Sequence, residues 1–537
     1  MVPEQVASVP ADKVRATRGR FGAVFCFLIA FTALYFTQAC LIASEKFFWF
    51  DELCTLYICR LPSFHETWQA AIHGADYNPP LFYLIERTAR ALLGEGLIAM
   101  RLPAMIGVWL CCICLFRIVG RRVGLVGGVI ALLFPLCTLA AYYACEARSH
   151  GIVLGFFGLS LVCWDELQVS RRNRWWQAGF ALTLGAALLT HCYAILILLP
   201  FAVIELWRVL RVRHVDWGMW AALLIPAVVA VLCFVPLSSA YRVNLASTGF
   251  AYQFRPEFWQ IHFFYLMLLS PAISVVAAAL MLLPFVKPDP DRISREHLAL
   301  SIGFAVLPIA GVVFASAAGG PFIPRYFLSA AVGLALLLGF GFGSGRRVWM
   351  GLALVCVMAA VLGRNFGSLL AHRHAGMGQA LEEPSTKTPL NTTPGQPLAD
   401  YGLLLSHLGE ADSVVITQPM DFLYLVYYAP KLIPRMYYLA WSTDETNYRL
   451  YRKIREWCHV EFNPVSTFAE FVPQHRRFLV YGDWLNLKQL SELRETGAET
   501  RFIGSDDHHY LAEAEFRNQE IIGRVQHFGG GPHPESR

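Results

Sequence analysis

Apolar runs of about 20 residues, long enough to cross a bilayer core of roughly 30 Å, recur through the first two-thirds of the chain. Inside such a layer every backbone N–H and C=O must be paired within its own segment, so the runs read as helices. Their breaks predict spans near 21–43, 97–116, 123–142, 149–165, 176–190, 192–207, 218–236, 262–285, 298–318, 323–343 and 348–363. Only Thr190–His191 separates the fifth from the sixth.

Between the first two runs, the loop 44–96 changes period. "SFHE", Ser63 to Glu66, is a capping box that opens a short helix with Phe64, Trp68 and Ile72 on one face. "NPP" offers Asn78 as N-cap and Pro79 as first helical residue, Glu86 and Arg90 are spaced to pair, and Gly94 can close the helix. Two amphipathic helices along the membrane surface are expected here. Residues 366–400 are rich in Pro, Thr and Gly and read as a linker. From 401 to 520 the pattern is that of a small soluble α/β domain, with strands at 413–418 and 477–482 and helices at 450–457 and 486–497. Residues 521–537 read as a disordered tail.

Composition agrees with the pattern. Of 537 residues 56% are hydrophobic and 15% charged, so the expected fold class is a polytopic α-helical membrane protein, spanning at 21–365, with a small C-terminal α/β domain. The net charge of +5 gives no nucleic-acid surface, but its placement gives a topology. Residues 1–20 hold Lys13, Arg15, Arg18 and Arg20, and the run that follows is too long for a cleaved signal peptide. Alternate breaks carry Arg117/Arg121/Arg122, Arg171/Arg172/Arg174, Arg208/Arg211/Arg213, Lys287/Arg292/Arg295 and Arg346/Arg347, whereas the opposite breaks carry few, with Arg148 in one, Arg242 and Arg255 in another and Arg325 in a third. The positive-inside rule then predicts eleven spans, a cytoplasmic N-terminus and an extracytoplasmic C-terminal domain. Most of the 14 cysteines, such as Cys111, Cys112, Cys114 and Cys163, lie inside apolar runs and read as core residues.

Candidate chemistry lies at the outer breaks. In "FFWFDELCTLY" (47–57) the acids Asp51 and Glu52 follow four aromatics that read as a membrane-interface belt. They either cap an interfacial helix or supply a general base partly shielded from water. In "YYACEARSHG" (142–151) Glu146 and Arg148 form an edge contact or present a guanidinium fork to a phosphate. His191 in "THCY" is a structural residue or a site residue, and Arg325 and Tyr326 in "PFIPRYFLSA" anchor the interface or add a second cation and a phenol. All stand at outer helix ends, where they can converge on one pocket facing a lipid phosphate.

The acid pair, "NPPLFYLI", "EAR", "TH" and "PRY" follow one another in an order that resembles the membrane-embedded glycosyltransferases of the C superfamily (GT-C), in the branch of protein O-mannosyltransferases and the lipid A aminoarabinose transferase, over roughly residues 20–365. The resemblance implies a polyprenyl-phosphate-sugar donor held in the membrane lipid, an acceptor lipid, glycan or protein, and transfer with inversion. It implies Asp51 as the base and Arg148, Arg325 and Tyr326 near the lipid phosphate, with Glu52 and Glu146 on sugar or acceptor hydroxyls or a cation. One acid suffices because the phosphate leaves as a stable anion, unlike the paired acids of inverting glycosidases. No cofactor is assigned; a divalent metal is used by some relatives and not others, and His191 and His262 qualify as ligands by location only. The branch also implies a bacterial inner membrane with a periplasmic outer side. The chain departs from the family at Asn78, where His is common before Pro-Pro, and at Ser149–His150, where Tyr often follows the Arg.

Two other classes compete. A transporter or flippase would place ionisable residues near the midplane and repeat its halves; an envelope assembly protein would work through its soluble domain, where "DDHHY" (506–510) reads as a solvated turn.

Overall fold

The computed structural model describes residues 11–245, 257–285, 293–318, 322–343, 348–371, 402–409, 413–484, 487–506, 509–517 and 525. Most of the expected linker and tail, and the basic breaks at Lys287/Arg292 and Arg346/Arg347, lie outside them. The first part is helical: α1 (Ala11–Glu45), α2 (Phe50–Cys59), α3 (Phe64–Ile72), α4 (Pro80–Leu93), α5 (Leu97–Val123), α6 (Leu125–Leu133), α7 (Ala140–Ala144) and α8 (Ser149–Val169). Every run read as a span contains helix. Among the described residues, however, seven helices are long and apolar enough to cross a membrane, or eight if the pair Arg295–Ala305 and Leu307–Ala317, bent by 50°, is one span. Leu125–Cys137 and Ser329–Gly343 are shorter apolar helices, and Arg174–Leu188 has 15 residues, a rise of about 22 Å. Among the described residues, length and composition alone thus account for fewer spans than the eleven expected.

In lipid, helices associate by close packing, which small residues permit. α8 meets α5 this way. A Cβ on Gly151 would sit 2.7 Å from the Ala104 carbonyl oxygen, and one on Gly155 2.7 Å from the Gly107 Cα. This contact fixes the start of α8, and with it Arg148, against the loop region.

α2, α3 and α4 fill that region. The Ser63–Glu66 capping box forms, with Glu66 N–H donating to Ser63 Oγ at 3.1 Å. α4 starts one residue later than expected, with Pro79 as N-cap, because the Asn78 carboxamide is engaged elsewhere. Glu86 does not pair with Arg90; it is fully buried, while Arg90 Nε bonds Glu95 at 2.7 Å.

The C-terminal part forms a five-stranded sheet in the order β2-β1-β5-β7-β6, with β1 (Val414–Ile416), β2 (Met436–Tyr437), β5 (Arg477–Asp483), β6 (Glu499–Ser505) and β7 (His509–Glu515). β3 (Leu439–Ala440) and β4 (Ser466–Thr467) form a separate parallel pair. β1 runs parallel to β2 and β5, and β7 antiparallel to β5 and β6. β1 is buried along its length, which accounts for its unbroken apolar sequence. Helices Thr446–Cys458 and Lys488–Glu495 occupy the stretches expected to be helical. Within "DDHHY", residues 507 and 508 lie outside the described set and His509 opens β7, 3.3 Å from Asp421.

The aromatics before Asp51 do not form a lipid belt. Phe47 packs edge-on against Tyr428 at 5.2 Å, Phe48 against Tyr427 at 6.2 Å and Phe50 against Tyr451 at 6.3 Å. His73 stacks on Trp457 at 3.7 Å. One apolar core therefore joins α2 to helices Pro419–Tyr428 and Thr446–Cys458 of the sheet domain.

Candidate active site

The site is built where α1 ends and α2 begins. Arg101, fully buried in the first turns of α5, donates from NH1 to the Ala43 carbonyl and from NH2 to the Phe47 carbonyl, both at 2.9 Å. It also grips Glu52 through Nε and NH2, each at 2.7 Å. Glu52 accepts two further bonds, from the Ala147 N–H at 2.7 Å and the Trp49 N–H at 3.2 Å. Burial alone would raise the Glu52 carboxyl, but the charge and bonds of Arg101, with Lys46 behind, hold it below the usual carboxylate range. Beside this knot Glu146, also fully buried, pairs with Lys46 Nζ at 2.7 Å. Glu52 and Glu146 thus stand behind the site, tying α1, α2, α5 and the approach to α8 together.

Asp51, in the first turn of α2, points the other way. Its Oδ2 lies 3.2 Å from Arg325 NH2 and 3.8 Å from Arg148 NH2. Arg148, at the N-cap of α8, donates from NH1 to the Asp51 carbonyl at 3.2 Å and to Thr55 Oγ1 at 3.0 Å, and its NH1 lies 3.2 Å from Asp76 Oδ2. Asp76 in turn accepts from Asn78 Nδ2 at 2.9 Å, and Asn78 Oδ1 accepts from Ser149 Oγ at 3.1 Å. Arg325 lies over the Trp49 ring at 5.6 Å and beside Tyr326 at 5.9 Å. Two carboxylates and two guanidiniums, from four distant stretches of chain, share one polar patch.

Behind Arg325, His191 and Tyr326 lie at 4.9 Å between ring centroids and His150 and His191 at 5.0 Å. With Arg325 and Ser329 they line a cavity of about 20 Å³. Burial, then the charges of Arg148 and Arg325, lower His191 to about 3, so it is a neutral imidazole.

The structure thus brings together Asp51, Arg148, Arg325, Tyr326 and His191, and sets Glu52 and Glu146 behind them. His262 stands apart, against Trp259. Among the described residues no group of three or more His, Cys, Asp or Glu is arranged to hold a metal ion. Sequence reasoning missed Asp76, His150 and Arg101. Arg101 had a signal, an arginine five residues into an apolar run, which is costly unless it has a task. Asp76 had only its place two residues before Asn78.

The architecture, a set of long apolar helices followed by a small sheet domain, has counterparts among known proteins. Residues 77–239, which include Asn78, Arg101, Arg148 and His191, match the family described as dolichyl-phosphate-mannose-protein mannosyltransferase. The fold is similar to the crystal structure of ArnT from Cupriavidus metallidurans in the apo state, with a TM-score of 0.54 and 14% identity over 95% of this chain and 100% of that one. It is also similar to ArnT from the same organism bound to undecaprenyl phosphate, with a TM-score of 0.52 and 14% identity over 91% of this chain and 98% of that one. No curated protein matches the sequence. The family match is confined to residues 77–239, and the likeness to ArnT is one of fold.

Proposed function

We propose that the chain is an inverting glycosyltransferase that moves a sugar from a polyprenyl-phosphate-linked donor to an acceptor hydroxyl at the outer face of a bacterial inner membrane, with Asp51 as general base. The observation that carries this reading is the convergence of Asp51 with Arg148 and Arg325. In the proposed step the acceptor oxygen attacks the anomeric carbon from the face opposite the phosphate. The bond from that carbon to the phosphate oxygen breaks, and its electron pair leaves on the phosphate. The hydroxyl proton passes to Asp51. The products are an inverted glycoside and a polyprenyl phosphate whose charge the two guanidiniums balance. The shared fold with a protein bound to undecaprenyl phosphate supports this class of donor.

Tyr326 and His191 are assigned to the donor side, since both pack behind Arg325. Glu52 and Glu146 are assigned to positioning: Glu52 is held by Arg101 and the Ala147 N–H, and Glu146 by Lys46, so they act on substrate through the placement of Asp51. Against a transporter stands the location of the charged cluster at the first turn of α2, the N-cap of α8 and the turn Pro324–Phe327, all helix ends.

The test is sugar transfer from membranes carrying Asp51→Asn. Loss of about 10²–10⁴-fold, the usual range for removing a positioned base, at unchanged protein level is expected. Full activity would remove Asp51 from the role, and altered uptake of a precursor with no glycosylated product would favour a transporter.

A further inference from the structure

The neighbouring acids Asp51 and Glu52 are held in opposite ways. Glu52 receives two bonds from Arg101 and two from backbone N–H groups, so displacing it strands several buried groups. Asp51 Oδ2 is shielded from solvent yet accepts no hydrogen bond of good geometry; proximity to two guanidinium charges alone holds it, at 3.2 and 3.8 Å. Arg148 does not depend on that contact. The Asp51 carbonyl, Thr55 Oγ1 and Asp76 Oδ2 keep its NH1 in place at 3.2, 3.0 and 3.2 Å. The Asp51 side chain can therefore let go while Arg148 stays.

An oxygen engaged by two guanidiniums is not free to receive a proton from an acceptor hydroxyl. A phosphate offers the same two cations several oxygens in a geometry that fits guanidinium forks. The start of α8, whose N-cap residue Arg148 makes no side-chain cap bond, adds N–H dipoles of the favourable sign. We propose that the donor phosphate displaces the Asp51 carboxylate from Arg325 and Arg148, so that donor binding itself uncovers the base, while Asp76 serves as the standing counter-ion of Arg148. This deepens the transferase reading and rests on it. Binding is then ordered: donor first, deprotonation of the acceptor second. A chain without donor does not present a free base.

The experiment titrates the purified full-length protein with farnesyl phosphate. If Asp51 competes with the phosphate, Asp51→Asn binds about tenfold more tightly than the unaltered protein, a gain within the range of close charge-pair coupling. Asp76→Asn binds no more tightly, because it loosens Arg148. In an Arg325→Ala background, Asp51→Asn gives a smaller gain, because only the Arg148 contact is left to compete for. Asp51→Ser repeats the comparison with a different replacement. Unchanged or weaker binding by both Asp51 variants overturns the exchange, and so does equal tightening by Asp51→Asn and Asp76→Asn, which reports net charge only. Inorganic phosphate that binds as tightly as farnesyl phosphate overturns the lipid source of the anion. Failure of the folded, unaltered protein to bind farnesyl phosphate brings down the transferase reading. An Asp51→Asn protein that loses transfer but binds no more tightly brings down the exchange alone.

Discussion

The Tyr428 hydroxyl accepts a hydrogen bond from the Phe48 N–H at 2.9 Å, across 380 residues of sequence. The first helix after β1, Pro419–Tyr428, thereby grips the segment that leads into Asp51, and the Phe47–Tyr428 and Phe48–Tyr427 ring contacts widen that grip. Tyr428→Phe removes only the acceptor and leaves a buried N–H unpaired, at a cost of about 1–3 kcal/mol. Transfer is expected to fall severalfold while protein level is unchanged. Initial rates of transfer, set beside a melting curve of the same preparation, check this.

Arg101 is the sole side-chain cation bonded to Glu52 among the described residues. Arg101→Ala leaves a buried carboxylate without its partner, a loss of about 3–5 kcal/mol. Adding Glu52→Gln removes the stranded charge and should recover part of that loss. Thermal unfolding of the two single variants and the double variant measures the coupling; strict additivity would count against it.

Glu86 predicts a pH dependence. Both its carboxyl oxygens are buried without a hydrogen-bond partner, and burial, then the Glu52 charge, push its pKa well above the ordinary value. A group raised in the folded state contributes stability that is fully present below its unfolded value of about 4.3 and is lost as pH rises through the folded value. The protein should therefore lose melting temperature between acid and alkaline buffer. Glu86→Gln should flatten that slope and be the more stable protein at high pH, which parallel melts at pH 5 and pH 9 would reveal.

Gly151→Ala places a Cβ 2.7 Å from the Ala104 carbonyl oxygen, so α8 must move away from α5 and carry Arg148 with it. Transfer should drop at least tenfold if the displacement approaches 1 Å. Gly363, whose added Cβ meets nothing within 4 Å, is the control: Gly363→Ala should keep full activity.

Much of the helical framework was legible because a bilayer forces backbone pairing within each segment, so long apolar runs have few alternatives. The Ser63–Glu66 box was legible because both its bonds are local. What failed depended on distant partners. Asn78 looked like an N-cap until its carboxamide met Asp76 and Ser149. Phe47 and Phe48 looked like lipid anchors because nothing nearby in sequence announces Tyr427 and Tyr428. Glu86 looked like a surface partner for Arg90 because spacing does not reveal which side of α4 faces the core. The polar patch was legible in part: Asp51, Arg148 and Arg325 each stand at a helix end, but Asp76 joins them only through the bend of the chain before α4.

The dependence of Phe48 on Tyr428 sets a schedule for biogenesis. Asp51 leaves the ribosome early, whereas the helix that secures its segment is translated hundreds of residues later. A nascent chain thus carries Asp51 long before it owns the brace, and a chain that stops between Arg325 and Pro419 has the polar patch without the helix that grips its leading segment. The grip on the Phe48 segment is therefore among the last long-range contacts that synthesis can complete.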